Sequence, residues 1–285
     1  MRGALIIASF ALQESVRRRV FVVVALLTIA FLALYGLGTW QIAKSADEIG
    51  DTNSNGIEGR VVAGATLLGL SMFATLFLGA ILAVFLTLGA VRGDAERGLL
   101  QPLLVRPISR GTFLAGRFIA AASVCAAYVI AVFLASAVIT DIFVDWWPDR
   151  IVGPALELGV AVAIIAALAL AGSVVLSSTA NGIAVFMLFG AGLTAGLLGQ
   201  IAEALSSDTL ADVSKGASWV LPFEALYQSA LSHITADTIG FTRFAIDLGP
   251  FGGAQAFGAG LWPYVVVYSA AVGAAALWAF RRRDL

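Results

Sequence analysis

Residues 158–202 read LGVAVAIIAALALAGSVVLSSTANGIAVFMLFGAGLTAGLLGQIA, 45 residues without a charged side chain. As one helix, at about 1.5 Å per residue, they would extend roughly 68 Å, about twice the roughly 30 Å hydrocarbon core of a bilayer. The stretch therefore crosses twice. Its polar break, Ser177-Ser178-Thr179-Ala180-Asn181-Gly182, places the turn.

Working outward, residues 20–40, 61–91, 118–140 and 261–280 are also free of charge. The 31 residues of 61–91 exceed one crossing, so that span starts late, tilts or bends. The expectation is an all-α polytopic membrane protein, a single transmembrane domain over residues 1–285. Its six spans fall at about 20–40, 65–91, 118–140, 155–176, 182–202 and 261–280. Composition agrees. Hydrophobic residues are 60% and charged residues 12%, and mean hydropathy is +0.95, where a soluble domain averages about 45–50% and about 25%. A soluble enzyme, a disordered tail and a disulfide scaffold are excluded. The 21-residue run at 20–40 is too long for the apolar core of a signal peptide, so it is read as a span.

Orientation follows from Arg and Lys. With an even number of spans and both termini in the cytoplasm, 12 of the 17 basic residues lie inside: Arg2, Arg17, Arg18, Arg19, Arg92, Arg97, Arg106, Arg110, Arg117, Arg281, Arg282 and Arg283. The expected location is the cytoplasmic (inner) membrane.

Several chemistries are absent. A net charge of -1 gives no field for nucleic acid. One cysteine, Cys125, and one histidine, His233, cannot build a zinc site, and no metal site is expected. Neither lysine, Lys44 or Lys215, sits in a P-loop, so this chain should not bind ATP by that route. Glu157 and Glu203 fall only at span ends; Glu157 is read as snorkelling to the interface and His233 as a solvated loop residue. No buried acid–base pair or nucleophile is visible, so no catalytic residue is expected. Ion coupling and intramembrane proteolysis are disfavoured. Uphill movement would need free energy from another subunit.

Three segments lie outside the spans. Residues 2–19 put Arg2, Ser9, Gln13 and Arg17 on one stripe, which predicts an interfacial elbow helix. Residues 203–260 form a long outer segment. Within it Phe223, Leu226, Tyr227, Ala230 and Leu231 share a face, Pro222 suits a first helical turn and Glu224 suits the dipole. That helix is expected in the outer interface or over an exit. Gly192 and Gly196 allow close helix approach, read as a possible subunit contact. Residues 92–117 are the largest cytoplasmic segment. Leu99, Leu100, Leu103 and Leu104 make an apolar face flanked by Arg97 and Arg110, and Arg106-Pro107 ends it. Ser109 or Thr112 can cap the third span. Periodicity alone leaves this helix as either a docking element or an interfacial turn-back.

This loop resembles that of type-2 ABC exporter permeases, which carry an acidic residue followed by Gly-Thr-Leu-Glu-Leu-Leu-Leu-Ser-Arg-Pro-Val-Ser-Arg. Here Glu96 is followed by Gly98-Leu99-Leu100-Gln101-Pro102-Leu103-Leu104-Val105-Arg106-Pro107-Ile108-Ser109-Arg110, aligned without a gap. Six spans, an elbow helix, a long outer segment and the basic ending 280–285 are similar as well. Leu99, Gln101 and Pro102 depart from the pattern, and Pro102 removes a backbone donor that shortens the helix.

The resemblance implies a permease working with two copies of an ABC ATP-binding subunit and a second permease subunit, as a homodimer. ATP and Mg would be bound by the partner and no cofactor by this chain. It implies that Asp94, Glu96, Arg97, Gly98, Leu99, Leu100, Leu103, Leu104, Arg106, Pro107, Ser109 and Arg110 couple ATPase closure to the spans, with Arg106-Pro107 as the hinge. Exchange between inward- and outward-open states would then move a substrate along the dimer interface. Apolar walls bearing Thr75, Tyr128, Thr194 and Tyr268 suit an amphiphilic or hydrophobic substrate, and the walls contact membrane lipid. The alternative function is a membrane anchor or assembly component for cell-envelope enzyme maturation, working with an ATPase partner.

Overall fold

The computed structural model describes residues 19–50, 59–87, 109–235, 257–258 and 260–282. These residues form eight helices and no strand: α1 (Arg19–Gly50), α2 (Gly59–Thr87), α3 (Arg110–Val144), α4 (Val152–Val175), α5 (Ser178–Ala204), α6 (Asp208–Val220), α7 (Pro222–Thr235) and α8 (Leu261–Arg281). Six contain segments long and apolar enough to cross a membrane: Phe21–Lys44, Ala63–Thr87, Arg110–Val144, Val152–Val175, Ser178–Ala202 and Leu261–Arg281. The chain is a polytopic α-helical membrane protein. The elbow segment before Arg19 lies outside the described residues.

α4 is the hub, packed on α2, α3, α5, α7 and α8. At Gly79 side chains of two neighbouring helices pack onto the backbone of α2. A Cβ there would collide with Val129 of α3 and sit 3.0 Å from Val162 of α4. α1 is peripheral and is tied on by hydroxyls. Thr28 Oγ1 lies 2.6 Å from Tyr128 Oη, and Tyr35 Oη lies 2.6 Å from Thr140 Oγ1. Apolar burial gives no drive between helices in lipid, so polar contacts of this kind and close packing hold them together.

α3 begins at Arg110, eight residues before the charge-free run at 118. A helix can carry cations in its first turns when their stems lie along apolar surface. The Arg117 guanidinium sits 5.6 Å from the Phe113 ring centre, and that of Arg110 sits 5.6 Å from the Phe280 ring centre. Ser109 is the cap: its backbone is extended and its Oγ accepts from the Thr112 N–H at 3.1 Å.

The break between α4 and α5 is narrower than the polar run. Only Leu176 and Ser177 lie between the helices, and Ser178 to Gly182 already belong to α5. The polar groups there serve the helix start. The Ser177 carbonyl accepts from the Asn181 N–H at 2.8 Å, and Asn181 Nδ2 donates to the Ala169 carbonyl at 2.8 Å.

The segment after α5 divides: α6 lies on the outside of the bundle with Ser214 and Ser218 as its buried residues, and α7 is buried. α6 runs back alongside α5, and Ser214 Oγ donates to the Ala195 carbonyl at 2.8 Å. The chain turns at Leu221-Pro222. Phe223 then stacks on Phe189 with centroids 5.9 Å apart, near the middle of α5. α7 climbs out again, passing Gly69 of α2 at Leu231 and reaching Gly153 at the start of α4 with His233. The advance of fifteen residues from 189 to the end of α5 corresponds to a depth of roughly 22 Å. α6 and α7 thus form a re-entrant hairpin. Irregular backbone at such depth survives only where protein encloses it. From Leu221 onward the turn meets that condition, since Leu221, Pro222 and Phe223 are buried, whereas Trp219 and Val220 just before it are exposed; the Leu221 N–H donates to the Ala217 carbonyl, the Glu224 N–H donates to the Leu221 carbonyl, and Pro222 has no N–H to satisfy.

The Phe223, Leu226, Tyr227, Ala230 and Leu231 face is fully buried, but so are Glu224, Gln228 and Ser229. α7 is therefore enclosed on all sides, and the expectation of an interfacial helix is corrected. Gly192 admits this packing, since a Cβ there would lie 2.8 Å from the Phe223 ring. Gly192 thus serves a contact within the subunit.

Candidate functional site

One end of the bundle carries arginines and the other carries the mouth of the hairpin. At the arginine face, Ser109 and Arg110 are the described members of the loop expected to couple to an ATPase. Asp94, Glu96, Arg97, Gly98, Leu99, Leu100, Leu103, Leu104, Arg106 and Pro107 lie outside the described residues. Arg110 is built into the helix ends. Its Nη1 donates to the carbonyls of Phe280 at 2.8 Å and Arg281 at 3.1 Å. Those carbonyls are at the α8 C-terminus, where intrahelical donors run out and a cation is favoured. Phe113 and Phe280 pack below, centroids 6.4 Å apart. The place where the loop re-enters the membrane is thereby fastened to both α3 and α8.

The hairpin places polar chemistry where the sequence showed none. Near its mouth Glu157 of α4 is 3% exposed. Its Oε1 accepts from Ser229 Oγ at 2.9 Å, and its Oε2 lies 3.2 Å from His233 Nδ1. This corrects two expectations: Glu157 does not snorkel, and His233 belongs to a helix and faces a carboxylate. The carboxylate stands between Ser229 and His233, so the histidine cannot activate the hydroxyl. The arrangement is a latch between α4 and α7, not a nucleophile with its base.

Near the hairpin tip Glu224 is fully buried. Gln228 Nε2 donates to its Oε1 at 3.2 Å, and its Oε2 has no hydrogen-bond partner among the described residues.

Sequence reading assigned Glu224 to the helix dipole and missed its burial. The available signal was spacing: Glu224/Gln228 and Ser229/His233 each pair at four residues, which puts each pair on one helix face.

The four hydroxyl residues expected along a substrate path have separate surroundings. Thr75 is buried in α2, and its Oγ1 has no partner among the described residues. Tyr128 is half-buried and bonded to Thr28. Thr194 is exposed on α5 and donates to the Gly190 carbonyl at 2.9 Å. Tyr268 lies on α8 beside Tyr264, centroids 6.0 Å apart. Among the described residues no group of three or more His, Cys, Asp or Glu side chains is arranged to hold a metal ion.

A family model described as "ABC-2 family transporter protein" matches residues 5–285. No curated protein matches the chain.

Proposed function

The chain belongs to the ABC-2 family of transporter proteins, as a multi-pass membrane permease subunit of an ABC transporter, and from that premise we propose that it exports an amphiphilic or hydrophobic substrate. Two copies of the chain enclose a path along their shared interface. Two ATP-binding subunits supply the free energy, carrying ATP and Mg, and act on the loop 88–108 between α2 and α3. Both termini and this loop face the cytoplasm across the inner membrane, as the positive-inside bias favours.

The observation that carries the coupling role is the fastening at Arg110. A push delivered through Glu96, Arg97 and the leucines 99, 100, 103 and 104 reaches Ser109 and Arg110 at the end of the loop. From there it passes to α3 through the helix cap and to α8 through the Phe280 and Arg281 carbonyls. Closure of the ATP-binding subunits is thereby converted into movement of two spans, in the manner of rigid-body switching.

The exposed face of α5 is the wall assigned to the path. Met187 there is 71% exposed, and Thr194 supplies a hydroxyl within apolar surroundings. Thr75, Tyr128 and Tyr268 would meet a solute where helices part during the cycle.

The test replaces Glu96 and Arg97 with alanine. The expected result is a chain that still inserts and still co-purifies as a permease dimer, with ATP hydrolysis no longer linked to substrate movement. Transport and ATPase activity that remain coupled as in the wild type would remove the loop from the mechanism.

A further inference from the structure

A groove of about 270 Å³ opens between α3, α4 and α8. Its walls include Gly111 and Ala115 of α3, Ala171 of α4, and Gly273 and Leu277 of α8, and among the described residues Ser269 is the only polar side chain lining it. The small residues keep the three helices from sealing. A Cβ at Gly273 would meet nothing within 4 Å.

Its length and its ends suit one kind of occupant. From Ser269 to Arg281 the helix advances twelve residues, roughly 18 Å, close to the roughly 15 Å of hydrocarbon in one leaflet. The wall between is apolar, apart from Ser269 at the deep end, and the shallow end is cationic. Arg281 is one turn beyond Leu277 on the same face of α8 and is exposed. Arg110 precedes Gly111 and is held against the end of α8 by its two carbonyl contacts. Arg282 lies 3.8 Å over the Trp278 ring. Fixed guanidinium groups at headgroup depth match a phosphate, and basic pockets between spans are a recurrent way of holding anionic lipid heads.

We propose that this groove is a binding site for an anionic phospholipid of the leaflet at the arginine face. One acyl chain lies along Gly273 and Ala115, and the phosphate is held at Arg281 beside Arg110. The site follows from the bundle itself and does not depend on the direction of transport. A lipid in this position fills the seam between α3 and α8, the two spans that Arg110 joins.

The test titrates the purified chain in mild detergent with dioleoyl phosphatidylglycerol or dioleoyl phosphatidylcholine and counts retained lipids by native mass spectrometry. The wild type should hold the anionic lipid in preference to the zwitterionic one. Arg281→Gln should cut that preference by roughly fivefold, as expected for one cation at a lipid headgroup. Gly273→Leu, whose Cβ would meet nothing within 4 Å, should lower retention of both lipids. Retention of both lipids at wild-type levels in both variants would overturn the assignment. So would conversion of a dimer to a monomer by Gly273→Leu, which would make the groove a contact between copies.

Discussion

A leucine in place of Gly79 is expected to leave almost no monodisperse protein after solubilisation. The position is one where side chains of α3 and α4 both pack against the α2 backbone. Even a methyl group would collide with Val129 and press on Val162 at 3.0 Å. Both neighbours are β-branched and cannot swing aside within a helix. Overpacking of this kind costs about 1–3 kcal/mol in tolerant cores. Here the strain would be relieved only by parting three central helices. Gly79→Ala should lower the thermal midpoint measurably, and Gly79→Leu should abolish a cooperative transition. Gly38→Ala in α1, where a Cβ meets nothing within 4 Å, is the control and should behave as wild type. Equal yields for Gly79→Leu and the control would mean that the three helices do not meet as described.

The second large effect is expected at Glu157. Replacing it with leucine removes the acceptor for the buried Ser229 hydroxyl and the partner of His233 in one step. A buried group left unsatisfied costs about 1–3 kcal/mol. The cost should fall on the hairpin rather than on the whole bundle, because these contacts join α7 to α4. Hydrogen exchange in residues 222–235 should accelerate by roughly ten- to a hundredfold, the equivalent of that energy as local opening. Exchange in α2 and α3 should change little. Glu157→Gln, which keeps an acceptor oxygen, should recover part of the protection. Undiminished protection of 222–235 in Glu157→Leu would show that the latch contributes nothing to holding the hairpin.

The spans were legible because crossing a bilayer imposes a length and forbids charge, and both can be read one residue at a time. The start of α3 was not, since Arg110 and Arg117 are tolerated by aromatic neighbours that are distant in sequence or hidden by the helical repeat. The hairpin was legible as a helix from Pro222 onward but not as a buried one. Glu224, Gln228, Ser229, Ser232 and His233 give α7 the composition of a surface helix. Its enclosure depends on surfaces supplied by α2, α4 and α5, which no local pattern encodes. The same gap led the absence of ionisable groups within the membrane to be overstated. Gly192 was read as a contact residue, correctly in kind, but its partner is Phe223 of the same chain. Of the residues expected to couple to the ATPase, the structure describes Ser109 and Arg110, and it places both at helix ends.

The dimensions of the hairpin also set an order for biogenesis. α6 has 13 residues and α7 has 14, well short of the roughly 20 that the insertion machinery accepts as a membrane-crossing signal. Neither helix could enter lipid alone, because the turn and the Glu224 and Gln228 side chains would arrive there without enclosure. The cleft that receives them is built from α2, α4 and α5, all made earlier during synthesis. A nascent chain therefore leaves residues 208–235 waiting at the membrane surface until those spans have gathered. The hairpin seats itself last in this part of the molecule, so its burial reports a correctly assembled bundle.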